Sequence, residues 1–474
     1  MSVIEETQTS RHSFWTYVSF GTYNILWTIP VSTMDVFMFF YYHTVIGLAP
    51  IWILLCVFIN TIWDSFNDPL IGWLTDRNFK WTKKWGRRFP WIAIGFIPQS
   101  LALIMIFSAP QADPTNPLPI MLWLILSFFL YDLFITLVNV HVAILRADKF
   151  RTELERRKFS GSWGVFEMTA TVIGMMLPPL LLFFGPTRLS YTVMASILSL
   201  ITIIFGITFL PGAREDKTII DRYYSRDYKP LKVFKGLRLV LKQKSFTALY
   251  AAYIAFLCST TIIIAMVSYT ITFVMRSDNP DVMTLIYAVL LLGTLISIPI
   301  WLKILKKLNN NKKTYLIGSF VLCCFILPLT FFQTYIDLMI IAFLTGFGTG
   351  CVLTIGIPVL YSNTQDDFVV RTGKNQKGIL VGTWEILGLL TSFIDEALIT
   401  LVFTLTGFNA GLKNYTALVA SGANVNLVIW GIRLLLGVIP MLVLLAGTLV
   451  FWKFYPLTQE KVLENKAKLK KLGF

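Results

Sequence analysis

Two acidic residues, Asp64 and Asp68, lie four residues apart within an apolar run at residues 48–75. On a helix this spacing places both carboxylates on one face, with Asn67 beside them. Two neighbouring carboxylates repel each other unless a cation or a proton lies between them, and carboxylate and amide oxygens are the ligands that hard cations prefer. The pattern therefore favours a coupling-ion site. The alternative is a carboxylate pair that is hydrogen-bonded to neighbouring helices.

A second group of polar residues interrupts other apolar runs. Asp132, Thr136 and Asn139 are spaced by four and three residues and so share one face of a helix. A carboxylate within a membrane is costly unless it faces a cavity or a partner, whereas single hydroxyls and amides often only join helices. We predict that a solute binds mid-membrane, between the two halves of the chain, near Asp35, Asp132, Asn139, Glu167 and Glu385.

A charged segment follows the run at residues 48–75. It begins with Asp76 and Arg77 and ends with Arg87 and Arg88. Asp76 can pair with arginines, or accept hydrogen bonds from a helix N-terminus, when the cytoplasmic side is closed. We therefore predict a gate formed by these four residues. A plain salt bridge at a helix end is the alternative.

The elements that position these residues are apolar helices. The chain of 474 residues is 55% hydrophobic and 14% charged, whereas soluble domains carry roughly a quarter charged residues. Each apolar run is long enough to span a hydrocarbon core of about 30 Å. The predicted fold class is an all-α integral membrane protein with twelve transmembrane helices, at residues 15–43, 48–75, 89–110, 118–145, 163–185, 189–211, 246–276, 281–305, 314–335, 338–362, 378–407 and 427–455.

The basic residues lie mainly in short segments between the runs. Nearly all of the 41 Lys and Arg residues would be cytoplasmic if both termini were cytoplasmic, and the predicted outer loops hold Arg188, Arg276 and Lys413. Because basic residues favour the cytoplasmic side, we predict a multi-pass protein of the cell membrane with both termini cytoplasmic. The net charge of +15 forms no patch of the kind that binds nucleic acid, so no nucleic-acid partner is expected.

The longest polar segment divides the chain into two halves of six predicted helices each. We predict an N-terminal half at residues 1–211, a central cytoplasmic loop at 212–245, a C-terminal half at 246–455 and a cytoplasmic tail at 456–474. Two parallel six-helix halves are typical of the major facilitator fold.

Other sequence patterns indicate no catalytic or cofactor chemistry. Gly346, Gly348 and Gly350 form a Gly-x-Gly-x-Gly pattern inside an apolar run, so close helix packing explains them better than a nucleotide-binding fingerprint. The three histidines form no metal-ligand pair, and no nucleophile and base share a catalytic motif. We expect neither an enzyme nor a cofactor, and no metal site beyond a Na+ at Asp64 and Asp68.

Two segments around the acidic pair carry a family resemblance. They read WDSFNDPLIGWLTDR at residues 63–77 and WGRRFPW at residues 85–91. Weaker matches read TLVNVH at residues 136–141 and RTGK at residues 371–374. With these segments the chain resembles the glycoside-pentoside-hexuronide:cation symporter family, of which the bacterial melibiose permeases are members.

The resemblance implies a major facilitator fold and symport of a solute with Na+, Li+ or H+. The family's cation site would fall on Asp64, Asp68 and Thr136. The substrate positions of this chain differ from the family, because the helix 4 acid falls on Asn139 and the helix 5 arginine falls at or near Gly164. Animal relatives of the family carry lysophospholipids, so the resemblance also implies a lysolipid alternative.

The predicted function is secondary active transport, that is, symport of a small polar solute (a sugar, glycoside or uronide) with Na+ or H+ by alternating access. The cation would bind first at Asp64 and Asp68, helped by Asn67 and Thr136, and would then raise the affinity for the solute. The expected partners are the solute and the lipid bilayer, and a monomer is expected. One alternative is a lysolipid or other amphiphile carrier of the same fold, and another is a non-transporting membrane sensor or scaffold.

Overall fold

The structure is a computed structural model. It describes residues 12–75, 79–111, 116–150, 153–182, 185, 187–217, 220, 238–277, 279–373 and 377–471. Asp76 and Arg77 lie outside these ranges. Asp68 and Glu385 lie on described helices, but their side chains lie outside the description.

The chain forms two compact units, one comprising Met1–Tyr228 with Ala410–Lys413 and the other comprising Lys229–Asn409 with Asn414–Phe474. The described residues of the first unit contain six long helices: α1 (Phe14–Ile46), α2 (Pro50–Thr75), α3 (Phe89–Ile106), α4 (Leu118–Lys149), α5 (Glu153–Leu181) and α6 (Arg188–Ala213). A short helix, Thr82–Trp85, precedes α3.

The described residues of the second unit also contain six long helices: α7 (Lys244–Val274), α8 (Pro280–Leu308), α9 (Asn311–Thr330), α10 (Tyr335–Thr372), α11 (Lys377–Thr406) and α12 (Val425–Phe454). A short helix, Tyr415–Ala420, precedes α12. A C-terminal helix, Gln459–Lys471, follows α12.

Eleven of these helices, all except α11, have the length and hydropathy to cross a membrane when the described residues are searched. The remaining helix, α11, has 30 residues, which is also long enough to cross. The predicted class, an all-α multi-pass membrane protein, is confirmed.

Two helices extend well beyond their predicted ends. α5 begins at Glu153 rather than at residue 163, and α10 continues to Thr372 rather than ending at residue 362. The added turns are polar. The backbone hydrogen bonds of a helix form within the helix itself, both in the bilayer and in water. A helix can therefore continue beyond the apolar residues from which its ends were predicted.

An aromatic cluster joins four helices of the first unit. The ring centroid of Phe20 on α1 lies 5.2 Å from Phe150 after α4, 5.5 Å from Phe159 on α5 and 5.4 Å from Phe209 on α6. All four rings are buried. Such edge-to-face pairs contribute about 0.5–1.5 kcal/mol each beyond the area that they bury, and they hold together the helices that carry the polar residues described below.

Small residues allow α8 and α10 to pack closely. A Cβ atom at Gly346 would collide with the backbone of Leu290, and a Cβ atom at Gly350 would collide with Ser297. Glycine lets two helix backbones approach each other. The interpretation of the Gly-x-Gly-x-Gly pattern as helix packing is therefore confirmed for these two glycines.

A buried carboxylate, Asp367 on α10, connects three elements of the second unit. It accepts hydrogen bonds from Gln243 at 3.0 Å and Ser245 at 2.8 Å, at the start of α7, and pairs with Arg371 at 2.8 Å. Its other oxygen accepts from the side-chain nitrogen of Asn465 at 3.2 Å. Asn465 thereby attaches the C-terminal helix to α10.

Candidate functional site

The polar face of α2 meets α4 at Asn67, which is 1% exposed. Its side-chain nitrogen donates to the backbone oxygen of Asp132 at 3.2 Å and to Oδ2 of the same residue at 3.4 Å. Asp64 lies one turn before Asn67 on α2 and is half-buried. Thr136 lies one turn after Asp132 on α4 and is buried. The structure thus brings Asn67 and Asp132 into direct contact, with Asp64 and Thr136 one turn away.

The side-chain oxygen of Asn67 is buried and receives no hydrogen bond from a described residue. The orientation of this amide follows from its partners, because both Asp132 atoms are acceptors and only the amide nitrogen can donate to them. A buried amide oxygen without a donor is costly, and it is a good ligand for a hard cation. The oxygens of this cluster therefore fit Na+ chemistry.

The Asp68 side chain lies outside the described residues, so the carboxylates that the structure describes near Asn67 are those of Asp64 and Asp132. Within the described part of the chain, no three His, Cys, Asp or Glu residues are grouped to hold a metal ion. Asn67 and Thr136 carry an amide and a hydroxyl oxygen in the same neighbourhood. The role of all four predicted cation ligands stays a prediction.

Tyr131 belongs to the same neighbourhood, although the sequence analysis did not identify it. Its side chain is 6% exposed, and its hydroxyl has no hydrogen-bond partner among the described residues. It lies close enough to Asp35, Asp132 and Tyr23 to interact with them electrostatically. The structure therefore places Asp35 of α1 in the same region as Asp132. The sequence signal is weak, because Tyr131 is adjacent to Asp132 rather than one turn away.

A second polar cluster involves α1, α4 and α5. The Tyr23 hydroxyl donates to Oδ1 of Asn139 at 3.0 Å, and the Tyr23 ring lies 5.8 Å from the ring of Trp163. The guanidinium of Arg146 lies over Trp163, 5.3 Å from the ring centroid. Glu167 follows Trp163 by one turn, and its side chain is exposed. The structure thus places Asn139 and Glu167 in one neighbourhood with a cation.

Arg146 was missed because it directly follows the predicted helix at residues 118–145, so its charge was assigned to a cytoplasmic segment. The structure continues α4 to Lys149, which makes Arg146 helical. It follows Asn139 by seven residues, about two helical turns, and this spacing is the signal that could have found it. The polar cluster of α1, α4 and α5 therefore contains a basic residue that the sequence analysis did not assign to it.

Of the predicted gate residues, Arg87 and Arg88 are described. Backbone amides at the start of α3, including that of Arg88, donate to the Glu215 carboxylate, and Nη1 of Arg88 lies 3.4 Å from Nδ1 of His141. Gly86 has a φ of 90°, and a Cβ atom there would collide with Glu215. A carboxylate at a helix N-terminus is favourable, so Glu215 attaches the start of α3 to the segment after α6. The gating role stays a prediction.

The sequence model of one protein family matches residues 19–459, which is nearly the whole chain. That family is described as MFS/sugar transport protein. The chain belongs to this family. It is a membrane transporter of the major facilitator superfamily, and the family is one of transporters rather than of enzymes.

Two relatives and one solved structure illustrate the similarity. The sodium-dependent lysophosphatidylcholine symporter 1-A of Danio rerio is 21% identical, over 97% of this chain and 88% of the relative. The sodium-dependent lysophosphatidylcholine symporter 1 of Mus musculus is 22% identical, over 92% of this chain and 84% of the relative. A bacterial homologue of the iron transporter ferroportin, in an inward-facing state, has a TM-score of 0.59 at 12% identity and covers 94% of this chain and 97% of its own. This structural likeness shows the fold alone, and the predicted major facilitator fold is confirmed.

Proposed function

We propose that this protein is a symporter that moves a lysophospholipid of the lysophosphatidylcholine type together with Na+ by alternating access. The two sodium-dependent lysophosphatidylcholine symporters match more than nine-tenths of the chain, at 21% and 22% identity. Identity at this level supports the substrate class and the coupling ion rather than a particular acyl chain or headgroup.

The observation that carries the cation half of the proposal is the buried Asn67 oxygen beside Asp132, which has no donor among the described residues. In our proposal Na+ is bound by the carboxylates of Asp64 and Asp68, together with side-chain oxygens of Asn67 and Thr136. Its charge removes the repulsion between the two carboxylates. The occupied cluster is better ordered, so bound Na+ raises the affinity for the substrate. By reciprocity, bound substrate raises the affinity for Na+ by the same factor.

The substrate half of the proposal draws on the polar cluster of α1, α4 and α5. This cluster contains a cation, Arg146, as well as Glu167, so it offers both charges that a zwitterionic headgroup requires. Symport of a sugar, glycoside or uronide is the second candidate, and the family description, which names sugar transport, favours it.

The test is uptake by the full-length protein in proteoliposomes under an imposed Na+ gradient. The panel contains lysophosphatidylcholine, a galactoside and a hexuronide. We expect the gradient to drive uptake of lysophosphatidylcholine by the wild type. We expect Asp64→Asn and Asp68→Asn to abolish the gradient-driven part, because each removes a carboxylate from the proposed cation site.

Asp281→Asn is the matched control, because Asp281 is an exposed carboxylate in the first turn of α8. It is expected to transport as the wild type does. Gradient-driven uptake of a sugar without uptake of the lysolipid would establish the second candidate. Lysolipid uptake that ignores both the gradient and the two aspartate variants would overturn Na+ coupling.

A further inference from the structure

The connection between α2 and α3 is rich in basic and aromatic residues. Residues 79–91 contain five basic and no acidic residues and read FKWTKKWGRRFPW. The helices on either side both have the length and hydropathy to cross a membrane. A short connection between two membrane helices cannot move far from the bilayer, so lipid headgroups are the neighbours of this segment.

Two tryptophans of this segment share one face of a helical turn. The amide of Trp85 donates to the carbonyl of Trp81 at 2.9 Å, so the two residues lie one turn apart. The centroid of the Trp81 ring lies 5.0 Å from that of Phe79 and 5.7 Å from that of Trp91, and the Trp85 ring lies 6.0 Å from Phe89. Even so, Trp81 is 38% and Trp85 is 39% exposed. Exposed tryptophans at the end of a membrane helix are typical of the headgroup region.

Cations lie next to these tryptophans. Lys80 and Lys84 each precede a tryptophan, are exposed, and form no ion pair with a described residue. The Lys84 ammonium lies 5.5 Å, and the Arg214 guanidinium 5.4 Å, from the centroid of the Trp85 ring. The carboxylate of Glu215, in the same region, accepts backbone amides at the start of α3. The described surface of the segment is therefore positively charged.

We propose that Lys80 and Lys84 bind the headgroups of anionic phospholipids in the leaflet that this segment faces. The two ammonium groups attract the phosphate of the lipid, while the exposed rings of Trp81 and Trp85 suit the depth of the headgroups. A soluble acidic protein would also attract the lysines, but headgroups are already within reach of a segment held between two membrane helices. The partner is a lipid of the bilayer and not the transported molecule, so the inference holds for either candidate substrate.

The experiment measures the tryptophan fluorescence of the full-length protein in liposomes of phosphatidylcholine that contain a fraction of phosphatidylglycerol. One of the two lipids carries bromine on its acyl chains, which quenches the tryptophans that the lipid contacts. The quenching curves give the relative binding constant of anionic phosphatidylglycerol over zwitterionic phosphatidylcholine. We expect the wild type to prefer phosphatidylglycerol. We expect the double variant Lys80→Gln, Lys84→Gln to lower this preference by about tenfold or more, because each lysine near the surface contributes about a factor of five.

A charge-preserving variant and a matched control accompany this measurement. The double variant Lys80→Arg, Lys84→Arg keeps both charges and is expected to retain the preference for phosphatidylglycerol. The double variant Lys306→Gln, Lys307→Gln removes two exposed lysines from the end of α8, where residues 302–313 contain no tryptophan. It is expected to retain the preference as well, because the lysines next to the exposed tryptophans are still present.

The tryptophans themselves report where the lipid binds. The double variant Trp81→Phe, Trp85→Phe is expected to remove the excess quenching by brominated phosphatidylglycerol, because these two rings are the reporters next to the lysines. In about 1 M NaCl, where the Debye length is about 3 Å, the wild type is expected to lose most of its preference, because the lysines are exposed.

Equal quenching by the two brominated lipids in the wild type would overturn the proposal. A preference for phosphatidylglycerol that survives the loss of both lysines, the loss of both tryptophans or high salt would also overturn it, since the lipid would then bind elsewhere or without its charge. A preference that is lost equally in the Lys306→Gln, Lys307→Gln control would assign the effect to the net charge of the protein, and it would likewise overturn the proposed surface.

Discussion

At the scale of single residues, the proposed cation site depends most on Asn67. Its nitrogen is occupied by Asp132, and its oxygen is buried without a donor among the described residues. The Asn67 side chain contacts the carboxyl group of Asp132, and Asp64 lies one turn before Asn67 on α2.

The Asn67→Ala variant is expected to raise the half-saturating Na+ concentration for transport by about tenfold or more, because it removes an oxygen ligand and a hydrogen bond to a charged group, worth about 1.5–3 kcal/mol. The measurement is uptake as a function of Na+ concentration in proteoliposomes. Asn465→Ala is the control, because it removes a similar buried bond, 3.2 Å long, between an asparagine and Asp367 in the second unit.

Asn465→Ala is expected to lower thermal stability without changing the Na+ dependence. If both variants shift the half-saturating concentration equally, the effect is a general loss of stability and not a loss of a ligand. If Asn67→Ala leaves the Na+ dependence unchanged, Asn67 has no part in cation binding.

Helical periodicity was enough to place some of these residues but not others. Asp64 and Asn67, and likewise Asp132 and Thr136, are one turn apart, so their shared faces could be predicted from spacing alone. Tyr131 could not be found in this way, because neighbouring positions on a helix do not share a face. Arg146 was assigned to a loop, because basic residues next to an apolar run usually mark the end of a membrane helix.

At the scale of elements, the contact between α8 and α10 depends on the absence of side chains. Gly346→Ala is expected to destabilise the protein by about 1–3 kcal/mol, because its methyl group would collide with the Leu290 backbone and the helices would have to separate. The measurement is the melting temperature of the purified protein in detergent.

Gly161→Ala is the matched control, because a Cβ atom at Gly161 would meet no described atom within 4 Å. It is expected to melt at the wild-type temperature or slightly above it, since alanine favours helix. Equal melting temperatures for the Gly346 and Gly161 variants would contradict close packing of α8 against α10.

The existence of the helices was easier to predict than their ends. Each of the twelve predicted apolar runs coincides with one of the twelve long helices among the described residues, because a bilayer demands continuous apolar stretches. Hydropathy placed the start of α5 and the end of α10 about three turns inside their true limits, because the polar turns there resemble loop sequence. Arg146 was missed for the same reason, since α4 also continues past its apolar part.

At the scale of the whole molecule, the fold followed from two simple signals. The run of apolar segments and the alternation of basic loops predicted a twelve-helix major facilitator transporter, and the family match over residues 19–459 confirms that superfamily. The orientation of the termini stays a prediction, and so does the role of residues 212–245 as a central loop, most of which lie outside the described residues.

The substrate was the part that the sequence could not specify. Acidic and amide residues at one-turn spacing suit a sugar hydroxyl or a cationic group, which donate hydrogen bonds to oxygen, and equally a proton, which binds to a carboxylate oxygen. The structure adds one cation to this set, Arg146 on α4 beside Trp163. It became visible only when α4 was seen to continue past the apolar run.

The central claim is that Na+ and a lysophospholipid move together. It is tested most directly by the influx of radiolabelled Na+ into proteoliposomes containing the full-length protein, with and without lysophosphatidylcholine. We predict that the lipid stimulates Na+ influx in the wild type and in Asp281→Asn, and that Asp64→Asn shows no stimulation. Na+ influx that is the same with and without the lipid in the wild type would contradict coupled transport.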